Sequence, residues 1–236
     1  MNEIYYYFLL FLIYSFIGWS IEVIGKLIEK HKFINRGFLV GPICPIYGHG
    51  CIVMILTLGR YRDNPLTLFM YAIFICSLLE YFTSYFMEKI FKARWWDYST
   101  KKFNLYGRIC AETMIPFGIL GTLVICVINP IFEYLLNLFS FQTIKITAIV
   151  LFVIYLIDYI ISLIIMFGFK GTLKTVEKDG TEEITKKVKD ILINKNALYK
   201  RLVEAFPNFM NPKERLLLIK ARVEKELKKY IKKDQK

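Results

Sequence analysis

The chain has 236 residues, 56% of them hydrophobic and 17% aromatic, with 32 Lys+Arg against 20 Asp+Glu for a formal net charge of +12. That apolar share exceeds the usage of a soluble domain, and it lies in long runs, the signature of membrane spans. The charge is lopsided: residues 1–169 hold 13 Lys+Arg and 10 Asp+Glu, whereas residues 170–236 hold 19 and 10. The sequence therefore divides into a transmembrane domain (1–169) and a basic helical tail (170–236).

Several classes of chemistry have no support. Cys44, Cys51, Cys76, Cys110 and Cys126 all lie in or beside apolar segments and form no CxxC pair. With only His31 and His49 for company they offer no zinc spacing. They read as small apolar packers, and no metal or cofactor is expected. The phosphate-binding GxxxxGK[ST] loop is missing, so the chain does not hydrolyse ATP by that route. No nucleic-acid motif is present. The first apolar run is too long for a signal-peptide core and lacks a basic leader, so it is expected to remain as an anchor.

Five spans are expected, at residues 4–24, 41–58, 65–87, 109–128 and 144–169, each near the length that crosses a bilayer. Basic residues set the orientation. The first loop holds Lys26, Lys30, Lys32 and Arg36, and the third holds Lys89, Lys92, Arg94, Lys101, Lys102 and Arg108. The positive-inside rule places these loops and the tail in the cytoplasm, with the N-terminus outside, against a minor opposing pair at Arg60 and Arg62. The expected fold is all-α: a polytopic membrane helix bundle with a basic cytoplasmic helical tail. In that tail Ile184, Val188, Ile191, Leu192, Leu198, Leu202 and Phe206 follow helical spacing up to Pro207. Leu216, Ile219, Val223 and Leu227 form a second stripe after Asn211-Pro212. The pair reads as an amphipathic hairpin with a solvated charged face, or as a docking surface for a partner or anionic headgroups.

The second span opens unusually. Residues 33–50, FINRGFLVGPICPIYGHG, carry four glycines, two prolines, an arginine and a histidine before an apolar run. Pro42 and Pro45 break helices. Irregular backbone at membrane depth survives only where protein packs on it or a cavity adjoins it.

Ionisable residues inside spans point to function. Glu22 shares a helix face with Trp19 and Lys26. Glu80, Ser84 and Glu88 form one polar stripe. Arg108 and Glu112 are spaced as an i, i+4 pair at the start of span four. Asp158 lies near the middle of span five, expected to meet a polar group of another span or another chain, or a partner in the same bundle such as a tyrosine hydroxyl. Span count alone brings most of these residues to one membrane face. The candidate ligand-binding set is Glu22, Asn35, Arg36, Tyr47, Glu80, Glu88, Trp96, Asp97, Tyr98, Asn104, Arg108 and Glu112. Two readings stay open: structural ion pairs that let a small bundle pack, or a pocket in which arginine forks hold a polar or anionic ligand. Trp95 and Trp96 fit an interfacial aromatic belt or the rim of that pocket. His49 is either a packing residue or a proton-relay member.

FIGWSIE (16–22), NRGFLVGPICPIYGHG (35–50), LEYFTSYFMEKIF (79–91), WWDYSTKKFNLYGRICAE (95–112) and the tail's AFPNF (205–209) together resemble the ABC-transporter permease family of the CmpB type, also called Putative ABC-transporter type IV. The resemblance covers about residues 10–130, with the tail motif as a short echo. It implies a multi-pass protein of the bacterial plasma membrane. A permease of this kind needs a separate ATPase subunit, and five short spans make a small half-channel unless the chain forms a homo-oligomer. Two positions depart from the expected pattern: Ala111 stands where a larger apolar residue is expected after GRIC, and Pro116 is expected to bend span four.

Three functions follow as alternatives. The first is a transport component with a cytoplasmic-side polar pocket. The second is a non-transporting module that binds a lipid headgroup or small metabolite among the membrane lipids. The third is a membrane enzyme acting on a lipid-linked substrate, with Glu80 or Glu112 as acid–base group.

Overall fold

The computed structural model describes residues 3–91 and 94–176, the side chains of 169–176 excepted, together with Leu198, Arg201 and Ala205. The two predicted tail helices, apart from those three residues, lie outside the described residues.

The chain is an all-α membrane bundle. Helix α1 spans Glu3–Lys30, α2 Pro45–Leu58 and α3 Pro65–Phe91. A two-stranded hairpin follows, β1 (Asn104–Leu105) against β2 (Ile109–Cys110), antiparallel with Asn104 opposite Cys110. Then come α4 (Ala111–Leu123), a π-helical turn (Val124–Ile128), α5 (Asn129–Asn137) and α6 (Phe141–Val176). Among the described residues, four stretches are long and apolar enough to cross a membrane: Glu3–Lys30, Pro65–Phe91, Ala111–Asn137 and Phe141–Gly168.

The helix starts obey local chemistry. Asn64 caps α3, its Oδ1 accepting the Thr67 N–H at 3.1 Å, and Pro65 opens the first turn where no N–H is needed. Ser140 caps α6 in the same way, accepting the Thr143 N–H at 3.2 Å. The expected second span is the departure. Its helix begins at Pro45, not Gly41, and has 14 residues, about 21 Å against a hydrocarbon core of about 30 Å. Pro42 forces the residue before it out of helical geometry, and Cys44 is extended, with φ −116°. The fourth span runs on instead of ending at 128, so Glu133, beyond the expected end, sits in α5. Pro116 does not stop α4. The later Pro130 cannot donate to the carbonyl four residues back. The π turn just ahead of it accommodates that break, with the Asn129 N–H reaching Val124 O.

Short α2 sits among the long helices, and small residues let it in. A Cβ on Gly48 would stand 2.1 Å from Ser15 Oγ and 2.5 Å from the Phe11 carbonyl of α1. One on Gly18 would meet the Tyr47 ring at 2.2 Å. On the other side Met54 Sδ packs 2.9 Å from the Cβ position of Gly121, and the core there joins Leu10, Tyr14, Cys51, Leu68, Ala72 and Val124. Helix α6 is more loosely attached, touching α1 through Ile144 and Ala148 on Leu9, and the end of α3 through Ile165 and Met166 on Phe91 and Trp95.

Candidate functional site

Residues 35–44 form an irregular strap between α1 and α2, and its backbone has few internal bonds to use. Side chains from elsewhere serve it instead. Asp158 of α6 accepts the N–H groups of Val40 and Gly41, each at 3.0 Å, and Ser162 Oγ also lies 3.0 Å from the Val40 N–H. Arg201 of the tail donates to the carbonyls of Leu39 and Phe38. Burial pushes the Arg201 guanidinium below its ordinary range, and the charge of Asp158 acts the other way. Asp158 therefore finds its partners within the same bundle, as one of the expected alternatives had it, and they are backbone N–H groups and the Ser162 hydroxyl, not a tyrosine. The Cys44 N–H reaches back to Ser15 O of α1 at 3.0 Å. Every one of these bonds answers the requirement that buried backbone polar groups find partners.

The strap thereby fixes Asn35 and Arg36. Asn35 Oδ1 accepts Trp19 Nε1–H at 2.6 Å while its amide donates to Val40 O at 2.8 Å. Arg36 Nε donates to Glu22 at 3.2 Å, and Tyr47 OH donates to the other Glu22 oxygen at 2.7 Å. Arg36 also donates to the Ala205 carbonyl of the tail. Lys26, which shares a face with Glu22, pairs instead with Glu29.

The α3 stripe meets the loop that follows it. Glu88 Oε2 receives Arg94 Nη2 and Arg108 Nη2, both at 2.8 Å. Arg94 also lies 3.7 Å from Asp97 Oδ1, and that oxygen accepts the Ser99 N–H at 3.0 Å. Arg108 donates to Ser84 at 3.2 Å and lies over the rings of Tyr81 and Tyr85 at 5.7 and 5.4 Å. Trp96 Nε1–H donates to the Arg108 carbonyl at 3.1 Å. One turn earlier, Glu80 is 7% exposed and accepts Tyr98 OH at 3.1 Å. Thr113 Oγ1 lies 3.4 Å from the other Glu80 oxygen, but the same hydroxyl is 2.9 Å from the Cys110 carbonyl, and its single proton serves one acceptor at a time. Burial and the charge of Glu80 push the Tyr98 phenol above its ordinary range, so it stays a donor. The charge of Glu22 acts in the same direction on Tyr98.

Two predicted members stand apart. Glu112 is exposed and pairs with Lys101 at 2.7 Å. Its expected i, i+4 pairing with Arg108 fails because α4 starts only at Ala111, with strand β2 between the two residues. Asn104 supports the hairpin turn, binding Lys101 O at 2.8 Å and the Gly107 N–H at 2.9 Å. Trp95 is 4% exposed and packs on Phe91. His49 Nδ1 meets the Pro45 carbonyl at 2.8 Å within its own helix, and its ring packs 4.8 Å from Phe11, outside the network. Arg94 and Thr113 were missing from the predicted set. The signal for Arg94 was an arginine beside two tryptophans and three residues before an aspartate. Among the described residues no group of His, Cys, Asp and Glu is arranged to hold a metal.

The network presents alternating acids, arginines and phenols at one end of the bundle, beside a shallow depression lined by Ile21, Glu22, Gly25, Lys26 and Glu29. No curated protein and no solved structure matches the chain. A family model does match, over residues 9–163, from the second turn of α1 through the strap, the α3 stripe and the hairpin to Asp158 and Ser162 of α6. The chain is thus a multi-pass membrane protein and belongs to the family described as Putative ABC-transporter type IV.

Proposed function

We propose that the chain is the membrane-embedded component of an ATP-driven transporter of the bacterial plasma membrane, and that a polar solute is handled at the network built on Glu22, Arg36, Tyr47, Glu80, Tyr98 and Arg108. One observation carries this reading. Among the described residues, Glu80 is the one carboxylate of the network that meets no cation: Glu22 has Arg36, Glu88 has Arg94 and Arg108, and Asp97 has Arg94. Glu80 has hydroxyls alone. A buried membrane carboxylate without a counter-charge is costly, and such residues mark solute and ion routes. A cationic or hydroxyl-bearing solute would complete its coordination.

An anionic ligand fits less well. Arg36 and Arg108 already face carboxylates, so a phosphate or carboxylate would have to displace an ion pair. The enzyme reading loses Glu112, which is exposed and bound to Lys101. The strap end of the bundle and the basic tail face the cytoplasm in this account, where a separate ATPase subunit would engage them. The test is nucleotide-stimulated flux in proteoliposomes that contain the chain with its ATPase. Glu80→Gln keeps the size and shape of the side chain and is expected to cut flux severalfold while assembly stays intact. Undiminished flux in Glu80→Gln would remove Glu80 from the route.

A further inference from the structure

Trp95 is buried and Trp96 half-buried, its Nε1–H on the Arg108 carbonyl, whereas the hairpin tip beyond them is turned outward. Phe103 is 88% exposed, Tyr106 71% and Leu105 50%. Three large apolar side chains within four residues would be an aggregation hazard in water. Their position explains them. The hairpin joins the end of α3 at Phe91 to the start of α4 at Ala111, so it sits where two spanning segments meet the bilayer surface. The exposed stripe Phe82, Phe86 and Ile90 runs along α3 toward that same end.

The tip is also held rigidly. Phe103 has φ 51° and Tyr106 φ 53°, left-handed angles that bulky L residues rarely adopt and that cost energy unless the surroundings impose them. Here they are imposed. Arg94 Nη1 donates to Tyr106 O at 2.8 Å, the Tyr98 N–H reaches Gly107 O at 2.8 Å, and the Arg108 N–H reaches Leu105 O at 3.0 Å. Asn104 closes the turn from inside. The adjoining charge is basic: Lys102 and Lys89 are exposed, and Lys101 lies over Glu112.

We infer that the hairpin tip, Phe103, Leu105 and Tyr106, inserts into the boundary between headgroups and acyl chains of the leaflet at its end of the bundle, with anionic phospholipid as the partner of the neighbouring lysines. Aromatic residues favour this depth, and basic residues beside a membrane attract anionic headgroups. The inference does not depend on transport.

Photocrosslinking of the full chain in nanodiscs tests it. Photoreactive benzoylphenylalanine is placed at Phe103 in one variant and at Tyr106 in another, so that one misfolded variant leaves the other. Nanodiscs contain either phosphatidylethanolamine with phosphatidylglycerol or phosphatidylcholine alone. After irradiation, intact mass spectrometry is expected to show a single phospholipid adduct at both positions. In the mixed nanodiscs that adduct is expected to be mainly phosphatidylglycerol, with the yield falling severalfold in phosphatidylcholine. A folded variant with no lipid adduct, or one crosslinked to a second protein chain, would overturn the insertion. Equal yields in both lipids would overturn the anionic partner.

Discussion

Asp158 lies so close above Gly41 that a Cβ on the glycine would stand 2.8 Å from Oδ2, the oxygen that accepts the Gly41 N–H. The strap and α6 are locked at this point by two charge-assisted bonds, and a methyl group there would push the carboxylate away. Asp158→Ala leaves the Gly41 N–H without its acceptor and is expected to cost about 1–3 kcal/mol. Asp158→Asn, which retains one acceptor oxygen, should cost less, and Gly41→Ala should resemble Asp158→Ala. Thermal unfolding midpoints in one detergent would rank the three.

Two glycines of α2 give opposite expectations. Gly48→Ala places its methyl 2.5 Å from the Phe11 carbonyl, which is backbone and cannot swing aside. It should separate α1 from α2 at a cost of about 1–3 kcal/mol. Gly50 has its nearest neighbour, Leu79 Cδ1, at 3.7 Å, an ordinary contact. Gly50→Ala should therefore be neutral or stabilise the helix by about 0.5–1 kcal/mol. A parallel thermal-unfolding comparison of the two variants checks this difference in sign.

Glu88 and Glu112 separate a structural charge from a surface one. The Glu88 carboxylate holds two buried arginines, with the Arg94 side chain 2% and the Arg108 side chain 11% exposed. Glu88→Ala takes from Arg108 its carboxylate and from Arg94 the nearer of two, and leaving a buried charge without its counter-ion costs about 3–5 kcal/mol. Lys101 and Glu112 are half exposed, so Glu112→Ala should change stability by less than about 1 kcal/mol. Expression yield and detergent stability should fall for the first variant and hold for the second.

Tyr98 gives a pH signature outside the spans. Its phenol is raised in the folded protein by burial and by Glu80, so folding favours the protonated form. That contribution is whole below the ordinary tyrosine value of about 10 and is lost as pH rises through and beyond it. The stability gap between wild type and Tyr98→Phe should shrink as pH rises above about 10. A gap that stays unchanged up to about pH 11 would assign the high-pH effect to another group.

Much of this arrangement was readable in the sequence because it follows helical spacing. Glu80, Ser84 and Glu88 recur every fourth residue, and α3 delivers them to one face. Glu22 and Arg36 come together because one short loop separates α1 from the strap. What could not be read depends on where helices begin. Arg108 and Glu112 have helical spacing, but α4 starts between them, so they part. The strap's partners were hidden for a different reason. Asp158 and Arg201 bind backbone groups, and backbone leaves no mark in the residue types it contacts. Glycine at 41 recorded the close approach without naming its cause. The length of α2 was misjudged because apolar composition continues through residues whose prolines exclude a helix.

The central claim is that this chain works as the membrane part of an ATP-driven transporter. Its most direct test is ATP hydrolysis by the complex that accompanies the tagged full-length chain out of its own membrane in mild detergent. A stoichiometric ATP-hydrolysing subunit is expected, with an activity that falls when the chain carries Glu80→Gln. A chain that purifies alone as a monomer, with no associated ATP hydrolysis and no nucleotide-stimulated flux in liposomes, would contradict it.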